Sequence, residues 1–138
     1  MASDSLKRFL TAQEGDYVRA LAEIKNGRKQ SHWMWYVFPQ LAGLGFSETA
    51  KFYGIRDLEE AREYLEHPVL GSRLLEISKV LLQFKGKTAN QIFGSPDDLK
   101  LRSSMTLFSL VENTDPVFQA VLGIYYSSSP DPKTLALV

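Results

Sequence analysis

WMWYVF, Trp33 to Phe38, is the run whose reading decides the fold of this chain. Taken alone it is rich in β-formers, but a strand needs a partner, and no second run with strand-like alternation exists elsewhere. Read with its flanks, as SHWMWYVFPQ from Ser31 to Gln40, it fits a short helical turn. Ser31 is positioned to cap the turn and Pro39 limits its length. On a helix, Trp33, Tyr36 and Val37 share one face while His32, Trp35 and Pro39 share another. Apolar residues on both faces predict burial on most sides, and packing area by itself accounts for aromatics of this kind.

Outward from this stretch, helix signals dominate. Tyr17, Leu21 and Ile24 form a stripe that Asn26-Gly27 would close. Ser47 is a good cap for a segment ending at Gly54, and Asp57 with Glu60 has the spacing of a capping box. Leu70, Leu74, Ile77, Leu81 and Phe84 recur at three and four after Pro68. Thr88 caps a short piece before Gly94, and Ser95-Pro96-Asp97-Asp98 opens the next helix with a cap, a proline and two acids. Asp115-Pro116 repeats the device, and Asp131-Pro132 starts a final turn. With no internal repeat or linker, residues 1–138 read as a single all-α domain of about six to eight helices.

Composition narrows the function classes. The 44% apolar content at this length supports a core without staples. The absence of cysteine removes disulfides, thiolate metal sites and thiol nucleophiles, and two histidines far apart offer no zinc motif. No cofactor is implied. Sixteen basic and sixteen acidic residues leave no excess for nucleic acid, and the short basic stretch Lys25–Lys29 reads as a solvated turn. No apolar run approaches the ~20 residues of a membrane span, and the first ten residues lack the apolar centre of a signal peptide, so a soluble, cytoplasmic protein is expected.

A few polar residues exceed what a helical core requires. His32 falls in a first helical turn, where the dipole favours a neutral imidazole able to bind a ligand or act as a base; a satisfied core histidine is the alternative. In KLRSSMTLF, Lys100 to Phe108, Ser103, Ser104 and Thr106 crowd a helix interior beside Lys100 and Arg102. A ligand face would explain them, and so would back-bonding to the preceding turn. Gly43 and Gly45 precede Ser47, but the spacing is neither a dinucleotide fingerprint nor a P-loop. The charges of RDLEEARE read as a solvated helix face.

The stretches GRKQSHWMWYVFPQLAGLG, YLEHPVLGSRL and IFGSPDDLKLRSSMTLF, with Asp131 and Thr134-Leu135 near the end, resemble a family of small, mostly bacterial proteins classed as a domain of unknown function. Some members carry the label calpastatin, which does not suit a chain compact and apolar enough to fold. The resemblance spans about Leu6 to Leu137 and implies a mainly helical single domain without an established activity.

Two functional readings follow. In the first, the protein is a small-molecule binder, nucleotide-like in its ligand and enzymatic if His32 is catalytic. Its site lies between the aromatic segment and the 100–108 helix, with Ser31, Trp35, Gln40, Lys100, Arg102, Ser103, Ser104 and Thr106 as binding residues. In the second it is a protein-interaction or scaffold module without chemistry.

Overall fold

The computed structural model describes residues 3–138, and among them there are ten helices and no strand. They are α1 (Ser3–Glu14), α2 (Tyr17–Lys25), α3 (Met34–Val37), α4 (Glu48–Tyr53) and α5 (Leu58–Glu66), followed by α6 (Leu70–Leu81), α7 (Ala89–Phe93), α8 (Asp97–Ser109), α9 (Val117–Tyr126) and α10 (Pro132–Leu137). WMWYVF is a helical turn, as its lack of a strand partner requires. Among the described residues the one β-like feature is an isolated parallel bridge between Leu41 and Ile55.

The number of helices exceeds the six to eight expected, for two reasons. Helix α1 carries a stripe, Leu6, Phe9 and Gln13, in which a glutamine takes the third core position and breaks the apolar pattern. In addition, α3, α4, α7 and α10 are separate pieces of six residues or fewer, each too short to hold without tertiary packing.

Around α8 the other elements assemble. It packs against α9, α7, α10 and α5, while α6 bridges α5, α2 and α9. Leu101, Met105 and Phe108 give α8 its predicted stripe, and Leu107 is buried beside them. Trp33, Phe38 and Phe93 form one aromatic cluster, with Trp33–Phe38 centroids 6.1 Å apart and Phe38–Phe93 5.7 Å apart. Phe9, Tyr64, Phe108 and Phe118 form a second.

Two buried polar side chains are matched by partners distant in sequence. Gln13 Nε2 donates to the Tyr36 carbonyl at 2.7 Å and to the Tyr64 hydroxyl at 2.9 Å, which tethers α1 to α3 and α5. Glu60 is not part of a solvated face: its carboxylate accepts from Arg8 at 3.2 Å and from the Arg56 backbone N–H at 2.8 Å, with the side chain almost wholly enclosed. That backbone bond replaces the one expected at Asp57, so the capping box is half made. Asp57 accepts from the Glu60 N–H, but Glu60 reaches one residue further back. The full box occurs at Thr88 and Gln91.

Three other caps differ from expectation. Helix α9 begins after Pro116 without a side-chain cap at that residue, although Asp115 accepts from the Val117 N–H at 2.8 Å. Ser95 does not cap α8, which begins after Pro96 without a side-chain cap. Ser31 does not cap α3, because its hydroxyl is already bonded to Glu23.

Candidate functional site

The aromatic segment is held from below by one carboxylate. Glu23 Oε1 accepts from the Gln30 and Ser31 backbone N–H groups at 2.8 and 2.9 Å and from the Trp33 indole at 2.8 Å. Its Oε2 accepts from the Ser31 hydroxyl at 2.6 Å. Burial would raise the Glu23 pKa, but these hydrogen bonds to the charged form outweigh it and hold it at about 2.

Lys29, expected in a solvated turn, is enclosed. Its ammonium stands 2.9 Å from Asp97, donates to the Ser31 carbonyl at 2.5 Å and lies 5.0 Å from the Trp33 ring centroid. Asp97 also accepts from Lys100 at 3.1 Å. Burial alone would raise the Asp97 pKa; the two ammonium groups bring it below the usual carboxylate value. Asp97 thereby fixes the segment before α3 against the first turn of α8.

With Trp33, Met34 and Val37 turned into the core, Trp35 is left half-buried on the opposite side. It faces a cleft of about 310 Å³ between the aromatic segment and α8. Gln40, Leu44 and Gly45 line one side with Trp35; Leu99, Lys100, Arg102 and Ser103 of α8 line the other, with Pro96 at the head of the helix. Asp131 and Lys133, at the start of α10, complete the wall. Gly45 is a close approach: a Cβ there would stand 2.7 Å from Ala50 Cβ. The cleft therefore has an aromatic face, apolar flanks and cations from two helices. The Lys100 ammonium lies 4.1 Å from the Trp35 ring centroid. The Gln40 side-chain amide, the Lys133 ammonium and Arg102 Nη1 carry no hydrogen bond among the described residues.

The C-terminal segment is fastened to α8 by polar contacts. Arg102 donates through Nε to the Ser129 carbonyl at 3.0 Å, and through Nη2 to Ser129 Oγ at 2.8 Å and the Pro130 carbonyl at 3.0 Å. Asp131 accepts from the hydroxyls of Ser103 at 2.9 Å and Thr134 at 2.6 Å and from the Thr134 N–H at 3.1 Å. Burial would raise the Asp131 pKa, but these donors keep it below the usual value. Thr106 Oγ1 accepts from the Asp131 N–H at 2.9 Å and donates to the Arg102 carbonyl at 2.8 Å.

Of the residues singled out from sequence, Trp35, Gln40, Lys100, Arg102 and Ser103 line one cleft. The others do not. His32 is exposed outside it, and only its carbonyl is engaged, by the Tyr36 hydroxyl at 3.1 Å. Ser31 is part of the Glu23 cluster, Thr106 serves the C-terminal attachment, and Ser104 is enclosed with an unpartnered hydroxyl. Back-bonding accounts for two of the three hydroxyls singled out on this helix: those of Ser103 and Thr106 lie 3.2 and 2.8 Å from the carbonyls four residues earlier, and the same two side chains contact Asp131 of the C-terminal segment.

Sequence reasoning missed Lys133 and the anchors Glu23 and Asp97. Asp131 carried a signal through its spacing to Thr134, which is the capping contact of α10. Among the described residues no group of three or more His, Asp or Glu is placed to hold a metal ion, and no helix is long and apolar enough to cross a membrane.

Fold and cleft together define a small, single-domain, all-helical protein with a cationic, aromatic-faced cleft closed by its C-terminal helix. The chain belongs to the family described as Protein of unknown function (DUF1810), whose sequence model matches residues 3–138. It is similar to a solved structure, the conserved hypothetical protein Rv1873 from Mycobacterium tuberculosis. That protein is 50% identical, with a TM-score of 0.94 over 96% of this chain and 95% of the other. No curated protein matches the sequence.

Proposed function

We propose that the cleft between the aromatic segment and α8 binds a small, planar, anionic molecule of nucleotide type. The observation that carries this reading is the convergence of the Trp35 indole with three uncommitted polar groups, the Gln40 amide, Arg102 Nη1 and the Lys133 ammonium, in one partly apolar cleft. Few precisely aimed polar groups in an apolar pocket is the usual form of a ligand site. A planar ring would take the indole face now occupied by Lys100. The flexible lysine stem lets the ammonium turn toward the ligand's negative charge while Asp97 still holds it.

The reading is one of binding. The cleft's carboxylate, Asp131, is committed through Oδ2 to its cap and to Ser103. His32 lies outside the cleft and has no part in it.

A thermal-shift series with nucleotides, nucleosides, sugars and aromatic carboxylates tests the proposal. Saturation at about 100 times the dissociation constant adds roughly 2.7 kcal/mol, several degrees in a domain of this size. The shift is expected to vanish in Trp35→Leu. No shift with any compound would leave the second reading, a protein-interaction module, whose support is the exposure of Phe46 at 85% and Phe52 at 58%.

A further inference from the structure

Resting on that reading of the cleft, the geometry points to a narrower ligand class: a nucleoside monophosphate, its base against Trp35 and its phosphate monoester held between α8 and α10 by Arg102 and Lys133. Charge is the first argument. Lys100, Arg102 and Lys133 line the cleft, and Lys100 shares Asp97 with Lys29; these four cations stand against two carboxylates, Asp97 and Asp131, an excess of two positive charges in a chain whose net charge is zero. Arg102 spends its bonded donors on neutral acceptors, two carbonyls and a hydroxyl, so its charge is not cancelled. Lys133 makes no ion pair among the described residues. A phosphate monoester carries about −1.5 to −2 near pH 7 and matches that excess; a neutral nucleoside or a monocarboxylate does not.

Size is the second argument. A volume of about 310 Å³ is at the small end of ligand pockets and is of the size of one nucleoside with a phosphate. The third is the Gln40 amide. It offers a donor and an acceptor side by side with neither engaged, which suits the paired donor and acceptor on an adenine edge.

The phosphate would then bridge two elements otherwise joined through the Arg102 clamp and the hydrogen bonds of Ser103 and Thr106 to Asp131. Binding therefore tightens α10 on α8, and amide exchange over residues 128–138 slows when the ligand is present.

The test is a tryptophan-fluorescence titration. Trp33 is buried and Trp35 faces the cleft, so Trp35 reports ligand. AMP, adenosine, inorganic phosphate and benzoate are titrated into the wild-type chain and Lys133→Gln. Lys133 is exposed, and an unchanged melting temperature shows that the variant folds. The expected result is AMP at least about tenfold tighter than adenosine, a factor equal to ~1.4 kcal/mol, with most of that ratio lost in Lys133→Gln and slower exchange at 128–138 in the wild type. Equal affinity for AMP and adenosine, or a ratio untouched by Lys133→Gln, overturns the phosphate assignment and leaves the cleft reading standing. Benzoate binding without AMP binding overturns the nucleotide class alone. No response to any of the four in fluorescence, with none in the wider thermal-shift series, overturns both.

Discussion

Glu23→Gln tests whether one carboxylate holds the aromatic segment in place. The substitution keeps the shape of the side chain and removes the charge that four donors share: two backbone N–H groups, the Ser31 hydroxyl and the Trp33 indole. A carboxyl held at about 2 instead of 4.5 corresponds to ~3 kcal/mol at 1.36 kcal/mol per pH unit. Water reaches this group, so screening reduces the figure to about 1–2 kcal/mol.

The sign is fixed by the direction of the shift. A carboxyl whose folded value lies below its unfolded one contributes fully above pH 4.5 and loses that contribution as the pH falls from 4.5 through about 2. Urea melts of wild type and variant at pH 7 and pH 3 isolate the effect, because the difference between the two proteins cancels every other titrating group. The variant is expected to be about 1–2 kcal/mol less stable at pH 7, a fall of roughly 4–8 °C in melting temperature. Less than half of the gap should remain at pH 3. A variant within about 0.3 kcal/mol of wild type at pH 7, or a gap that does not narrow with acid, would refute the reasoning.

Other expectations concern single contacts. Gly71→Ala places a Cβ 2.0 Å from the Leu65 carbonyl oxygen, backbone that cannot turn aside, so a loss of about 3 kcal/mol is expected in chemical denaturation. Glu60→Ala strands Arg8 in a half-enclosed site and opens the entry to α5; a loss of about 2–4 kcal/mol is expected, read by thermal melting. Asp131→Ala removes the α10 cap and the acceptor of Ser103, costing about 1–2 kcal/mol, and faster amide exchange over 128–138 is the local readout. Because the Asp131 carboxyl lies below its usual value, wild-type attachment of α10 should also weaken as the pH falls below about 3.8.

Where local rules decide a feature, the sequence discloses it. Ser47, Thr88 and Asp131 cap the helices their spacing marks, and the Leu70–Leu81 and Leu101–Phe108 stripes are core. The physical reason is that caps and stripes are satisfied within one or two turns. Features settled by distant partners were not legible. Ser31 has the chemistry of a cap, but the Glu23 carboxylate eight residues back competes for its hydroxyl and wins. Lys29 and Glu60 look like solvated charges until Asp97 and Arg8 are folded against them. The same division runs through the cleft. Trp35, Gln40, Lys100 and Arg102 stand out because each is polar or half-exposed inside an apolar run, a local anomaly. Lys133 is an ordinary lysine in a polar tail and acquires meaning only when Asp131, Ser103 and Thr106 bring α10 to the cleft wall. A residue that functions by being delivered leaves no mark at its own position. Its trace lies in the contacts that deliver it, here in hydroxyls on α8 whose local back-bonding explained them well enough to hide their second partner.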